Sequence, residues 1–286
     1  MMQMCHIKCL PLEQDIETKQ VLKKLSKAHT ALAELKGIAS TIPNENILIN
    51  TLALQEAKDS SAIENIITTH DDIYRSDSFT QDFASIAAKE VHRYAEALRQ
   101  GFKQVKDQGL LTNAHILQIQ ASIEENSAGF RKLSGTALKN DATGEVIYTP
   151  PQHPDEIIAL MSNLERFIND DELCDWDALT KMAVIHHQFE SIHPFYDGNG
   201  RTGRIINILF LVKQDLLKIP VLYLSRYINQ HKEDYYRLLQ STRETDDWQP
   251  WLLFILEGVE QTSQQTIVLI ENIKTMMLTF KQKMRN

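Results

Sequence analysis

HPFYDGNGRTGR, residues 193–204, separates two apolar-patterned helices, one ending near Glu190 and one beginning near Asn199. Three features converge in it. Gly198, Asn199 and Gly200 can take positive-φ conformations that aim successive backbone N–H groups into one concavity. The helix that follows adds its N-terminal dipole, so an anion is favoured there. Arg201 and Arg204 stand three apart, on one helix face, and can fork onto two phosphate oxygens or onto one phosphate and one carboxylate. No Lys-Ser/Thr pair accompanies the glycines, so this polyphosphate cradle is not a Walker-type loop. Asp197, directly before the turn, suits a hard cation such as Mg²⁺ held against the same phosphates. His193 opens the loop with a side chain able to take a proton near neutrality. Phe195, between them, is expected to be a core anchor.

Outward from this loop the chain reads as all-α. Ten glycines and eight prolines in 286 residues leave room for long helices, and the apolar spacing supplies them. From Asp15 to Leu35 the set Ile16, Val21, Leu22, Leu25, Ala28, Leu32 and Leu35 marks one helix, with Gly37 as its expected stop. Further helices fit 47–69, 80–107, 112–125, 154–169, 175–190, 199–214, 231–243 and 247–280. Thr112 is the expected N-cap of the helix at 112–125, and Pro154 with Asp155 and Glu156 suits a first turn. One segment refuses helical spacing. Residues 129–151, GFRKLSGTALKNDATGEVIYTPP, carry turn residues and the β-prone run Val146-Ile147-Tyr148-Thr149, which predicts a β-hairpin turning near Asp141 to Gly144. A lone hairpin is marginal in water, so it is packed on the helices or held for a partner strand. One continuous helical domain is expected, with a separable N-terminal bundle.

Charge and composition narrow the partners. With 30 Lys plus Arg against 38 Asp plus Glu the net charge is −8, the reverse of the footprint of nonspecific duplex binding, so nucleic acid is not the expected partner. No apolar stretch reaches the length of a membrane span and the N-terminus has no signal-type h-region. Cys5, Cys9 and Cys174 are too few for a disulfide framework. A cytoplasmic protein is expected.

The twelve residues His193 to Arg204 resemble the Fic family motif H-P-F-x-[D/E]-G-N-[G/K]-R-x-x-R, with every specified position filled. The resemblance implies a Fic-type helical bundle with a short β-hairpin flap, and transfer of a nucleotide monophosphate, usually AMP from ATP, onto a Tyr, Thr or Ser hydroxyl of a target protein. It implies that His193 is the general base and Asp197 the Mg²⁺ ligand. The nucleotide phosphates would be held by Gly198, Asn199, Gly200, Arg201, Thr202, Gly203 and Arg204. Relatives with Lys at the variable position include kinases that transfer phosphate; Gly200 here favours nucleotidyl transfer. A second stretch, TLALQEAKDSSAIENI at 51–66, presents Ser60, Glu64 and Asn65 in the order of the family's inhibitory-helix motif, [S/T]-x-x-x-E-[G/N]. By that resemblance Glu64, on the helix at about 47–69, pairs with Arg204 and removes the group that orients the γ-phosphate. Some relatives use this glutamate to remove AMP, and a non-catalytic nucleotide-binding regulatory module is the further alternative.

The same resemblance divides the chain into an N-terminal helical region, 1–110, a Fic core, 111–260, and a C-terminal helix, 261–286. Its flap, about 144–150, would dock the target protein by strand addition. LSRYINQHKEDYYRLL at 224–239 resembles the segment closing the adenine side, with Tyr235 as the base contact and core burial as its plainer role. Elsewhere plainer roles stand. Cys5-His6 and Cys9 lack the partner pair of a zinc site. Of His186 and His187, one can buttress the loop and the other face solvent. The apolar run 267–280 packs on its own core or offers a homodimer contact.

Overall fold

The computed structural model describes residues 7–76, 82–139 and 143–284. Its helices in order are α1 (Lys19–Ala39), α2 (Glu45–Ile63), α3 (His70–Arg75), α4 (Ile86–Gln108), α5 (Asn113–Glu124), α6 (Pro154–Asn169), α7 (Ala178–Ile192), α8 (Asn199–Lys213), α9 (Leu224–Gln230), α10 (Lys232–Thr245) and α11 (Gln249–Lys283). Between α5 and α6 stand two short strands, β1 (Leu138–Lys139) and β2 (Val146–Tyr148), paired antiparallel with Leu138 opposite Tyr148. The all-α expectation with a small hairpin holds. Of its predicted turn, Thr143 and Gly144 are described and 140–142 lie outside the described residues, as do Cys5 and His6.

The helix starts follow from local chemistry. Thr112 accepts the His115 N–H as N-cap, and Pro154 opens α6 with Asp155 and Glu156 in the first turn, where the missing N–H and the acidic charges suit the helix dipole. Two expected ends move. α1 runs through Gly37 to Ala39, because Ala39 is buried and packing outweighs the weak local stop. α2 ends at Ile63, not 69: Asn65 takes the left-handed conformation at φ 62°, and the Asn65 and Ile66 N–H groups fold back onto the Ala62 and Ser61 carbonyls. That closure satisfies the last carbonyls and stops the helix. α4 begins at Ile86 rather than 80, behind a Ser85 cap that accepts the Ala88 N–H. A separate short helix, α9, was not expected from spacing.

α7 is the axis of the bundle, since every residue from Leu179 to Ile192 is buried. It packs on α6, α8 and α11; α1 lies along α11, α2 lies on α4 and α9, and α4 also packs on α5 and α8. One apolar cluster runs from Leu10 to Ile270, so the N-terminal helices are not a separable bundle but part of the same core. Trp251, fully buried on α11, ties that helix to α7 by donating its indole N–H to the Ala183 carbonyl at 2.9 Å. Among the described residues no helix is long and apolar enough to cross a membrane. This arrangement presents the α7–α8 connection, residues 193–198, at one end of the two most buried helices.

Candidate active site

His193 ends α7 in the left-handed conformation, φ 48°, with its N–H on the Phe189 carbonyl. Phe195 is fully buried against Phe130 and Phe189 and anchors the loop as expected. Asn199 clamps the turn. Its side chain accepts the Phe195 N–H and donates to the Phe195 carbonyl, both at 2.9 Å. The Asn199 side chain is therefore engaged in the loop rather than offered to a phosphate, and of the three residues at 198–200 only Gly198 has positive φ, at 78°. Thr202 is fully buried with its N–H on the Gly198 carbonyl. Gly203 lies against Glu190 and Phe189. Neither presents a side-chain donor at the opening. Asp197 is exposed and engages the Gly198 N–H through Oδ1 at 2.7 Å.

Arg204 is 2% exposed and held from α2. Its Nε donates to Ser60 Oγ at 2.7 Å, and its Nη2 donates to the Ser60 carbonyl at 3.0 Å and to Glu64 Oε1 at 2.7 Å. The Glu64 carboxylate lies against Gly200, where no Cβ stands in its way. Burial alone would lower the Arg204 pKa, but Glu64, Tyr235 and Tyr94 push it above the ordinary arginine value; Glu64 is correspondingly held low by Arg204 against its own burial. Both stay charged. Asn65, the third residue of the stretch, reaches away to Lys232 Nζ at 3.0 Å.

Residues that spacing did not single out complete the site. Arg131, 1% exposed, donates its backbone N–H to the Pro194 carbonyl and its guanidinium to the carbonyls of Ile192, His193 and Pro151. It thus binds the loop to the root of the hairpin. Tyr196 adds to this by accepting the Lys132 and Leu133 N–H groups, and Tyr148 Oη donates to the Ser191 carbonyl at 2.8 Å. The hairpin root is packed on the helices, while Ile147 stays exposed. Replacing Arg131 by alanine is expected to destabilise the protein by about 2–4 kcal/mol, since the carbonyls of Ile192, His193 and Pro151 lose a buried charged donor. A melting curve of that variant against the parent checks it. Arg201 is held by Glu90 on α4 at 2.8 Å and Glu124 on α5 at 2.6 Å. A lone Arg or Glu on a helix carries no sequence signal of such a tertiary role.

Burial, with Arg131 and Arg243 nearby, lowers the His193 pKa to about 4, so the imidazole is neutral near pH 7. His186 and His187 are both buried, which corrects the expectation that one faces solvent. His186 meets Tyr235 Oη at 2.9 Å and is lowered to about 3, and His187 faces the Leu239 carbonyl. Tyr235, 1% exposed, stands among Trp251, Phe254 and His186, in the core rather than where it could meet a base. Glu190 is buried one turn before His193 with its carboxyl raised to about 7 by burial. Among the described residues no group of three His, Cys, Asp or Glu could hold a metal unaided.

The chain shares this architecture with known proteins. Residues 22–103 match the Fic/DOC family N-terminal region and residues 110–211 match the Fic/DOC family; the chain belongs to the Fic/DOC family. It is 30% identical over 112 residues to proteins named protein adenylyltransferase Fic from Drosophila erecta and from Aedes aegypti, a match that covers 39% of this chain and 21% of each relative. The chain thus spans about a fifth of the length of those relatives. Its fold is similar to that of a Fic family protein from Desulfovibrio desulfuricans, with TM-score 0.72, 21% identity, and 88% and 75% of the two chains covered. A Fic domain containing signaling protein from Bacteroides thetaiotaomicron gives TM-score 0.64 at 17% identity over 89% and 97%.

Proposed function

We propose that the protein transfers AMP from ATP to a hydroxyl side chain of a target protein, and that Glu64 restrains it from within. The observation that carries this is the placing of His193, Asp197 and Arg204 around one glycine turn, with Arg204 tied to Glu64. The neutral imidazole takes the proton of the incoming hydroxyl. The hydroxyl oxygen bonds to the α-phosphorus, the bond from that phosphorus to the bridging oxygen breaks, and pyrophosphate leaves. The Gly198 turn, Arg201 and Arg204 balance the phosphate charge. Asp197 fits a Mg²⁺ ion because it is an exposed carboxylate at the anion turn, where phosphate and water would complete the ion's shell. When bound, that ion would neutralise phosphate charge. The hairpin, anchored at Tyr148 beside the loop with Ile147 exposed, is where a target strand would be held.

Parallel incubations of a Glu64→Gly protein and lysate with α-labelled and γ-labelled ATP test the reaction class. Label on protein from the α position only is expected; label from the γ position would replace AMP transfer with phosphate transfer, and none from either would remove the transferase reading. A pH dependence follows from the depressed imidazole. The neutral form is the competent base and prevails above about pH 4, so kcat/KM of the Glu64→Gly protein should stay level from about pH 8 down to about pH 5 and fall below. An acid limb centred at 6.5 would contradict it.

A further inference from the structure

Both guanidinium groups that the turn offers to an anion are occupied by carboxylates from other helices. Arg204 has Glu64, the residue that caps the end of α2. Arg201, 5% exposed, has Glu90 of α4 on Nη1 at 2.8 Å and Glu124, the last residue of α5, on Nη2 at 2.6 Å. The two partners of Arg201 differ in where they sit. Glu124 lies against the backbone of Gly198, close enough that a Cβ built there would be 2.6 Å from its Oε1 and 3.0 Å from its Cγ. It therefore sits beside Gly198 at the start of α8, next to the place where the positive φ of Gly198 and the helix N-terminus favour an anion. It is also crowded. Burial, and the like charges of Asp197 and Glu90, hold its carboxyl above the ordinary glutamate value against the pull of Arg201.

The geometry points to Glu124 as a second resident anion of the site, one that competes with the β-phosphate of ATP for Arg201 and the Gly198 turn and so sets nucleotide affinity separately from Glu64. This rests on the nucleotide-transfer reading above. The competition is electrostatic and local. Arg201 with Glu90 and Glu124 sums to +1 − 2 = −1, and a triphosphate adds more negative charge to the same few ångströms. Removing Glu124 leaves Arg201 paired with Glu90, so the guanidinium is not stranded, and alanine is well tolerated at a helix end. Glu90 has no described contact with the glycine turn and remains as the positioning partner. Glu124 also adjoins Glu125, which pairs with Lys89 and Arg93 of α4, so the end of α5 keeps its attachment when Glu124 is changed.

Titration calorimetry of the non-transferable α,β-methylene analogue of ATP with Mg²⁺ tests the proposal on Glu64→Gly and Glu64→Gly/Glu124→Ala proteins. Glu124→Gln, which keeps the shape and removes the charge, serves as a second variant should the alanine protein melt early. The double variants are expected to bind roughly tenfold more tightly, the worth of about one charge-assisted hydrogen bond. AMP, which lacks the β-phosphate, should gain less than about twofold. Equal or weaker binding of the ATP analogue would overturn the proposal and make Glu124 a residue that positions Arg201 or the cation. An equal gain for AMP would also overturn the assignment to the β-phosphate. If the Glu64→Gly parent binds nucleotide and the second change does nothing, only the role of Glu124 fails; if no variant binds nucleotide, the transfer reading fails with it.

Discussion

Glu64→Gly is expected to raise ATP-dependent labelling by roughly tenfold or more and to lower the melting temperature of the nucleotide-free protein. The two effects share one cause. On the proposed reading, Arg204 gives Glu64 a hydrogen bond that an oxygen of ATP would otherwise take, and a charge-assisted hydrogen bond of this kind is worth about 1.5–3 kcal/mol, or about tenfold to a hundredfold in binding or rate. Without nucleotide the same change leaves a buried guanidinium with only the two Ser60 contacts. Stranding a buried charge costs about 3–5 kcal/mol where water is excluded. Glu64 is 34% exposed, so water reaches the gap and about 1–2 kcal/mol is the better figure, a fall of roughly 2–8 °C at this chain length. ATP should restore the melting temperature, because phosphate takes the place of the carboxylate. Autoradiography with α-labelled ATP and a melting curve with and without ATP measure both. Unchanged labelling together with unchanged melting would mean that the Glu64–Arg204 pair restrains nothing.

Removing the base should be more severe in rate and nearly silent in binding. In the Glu64→Gly background, His193→Ala is expected to lower labelling by about 10²–10⁴-fold, the span general-base catalysis supplies, while ATP binds as before because Arg201, Arg204 and the turn are untouched. A companion His193→Asn separates chemistry from folding. Position 193 has φ 48°, a conformation asparagine takes readily and alanine at a cost of about 1 kcal/mol. Both variants should be inactive, and only the alanine protein should melt lower, by roughly 2–4 °C. Labelling that survives both substitutions would remove His193 from the reaction.

How much of this could be read from the chain depends on the range of the interactions. HPFYDGNGRTGR is local: the turn, the anchor Phe195 and the two arginines at helical spacing follow from neighbours within a dozen residues, and the Glu64–Arg204 approach was legible through family resemblance. The partners of Arg201 were not, because Glu90 and Glu124 reach it across 111 and 77 residues, with nothing in their own helices to distinguish them from surface glutamates. Arg131 was missed for the same reason, since its partners are carbonyls, which every residue has. Asn199 and Tyr235 were assigned to ligand by motif and position, and the fold engages one in clamping the loop and the other in filling the core. The helix expected over 47–69 stops at Ile63 because Asn65 accepts left-handed geometry, which apolar periodicity does not register.

That early stop bears on how freely the proposed restraint would open. Glu64 is the residue after the last turn of α2, and the segment that follows is held by an Asn65 contact to a half-buried lysine, Lys232, and two backbone hydrogen bonds. Helix ends fray at small cost while helix interiors open only with the surrounding core. Ser60, one turn earlier and fully buried, would keep its hold on Arg204 if the end of α2 frayed. The carboxylate can therefore leave and return as a local fluctuation, with the bundle intact and the arginine still aimed. If Glu64 restrains the site as proposed, the protein populates open and closed active sites on one scaffold, and a ligand of the end of α2 would set the ratio between them.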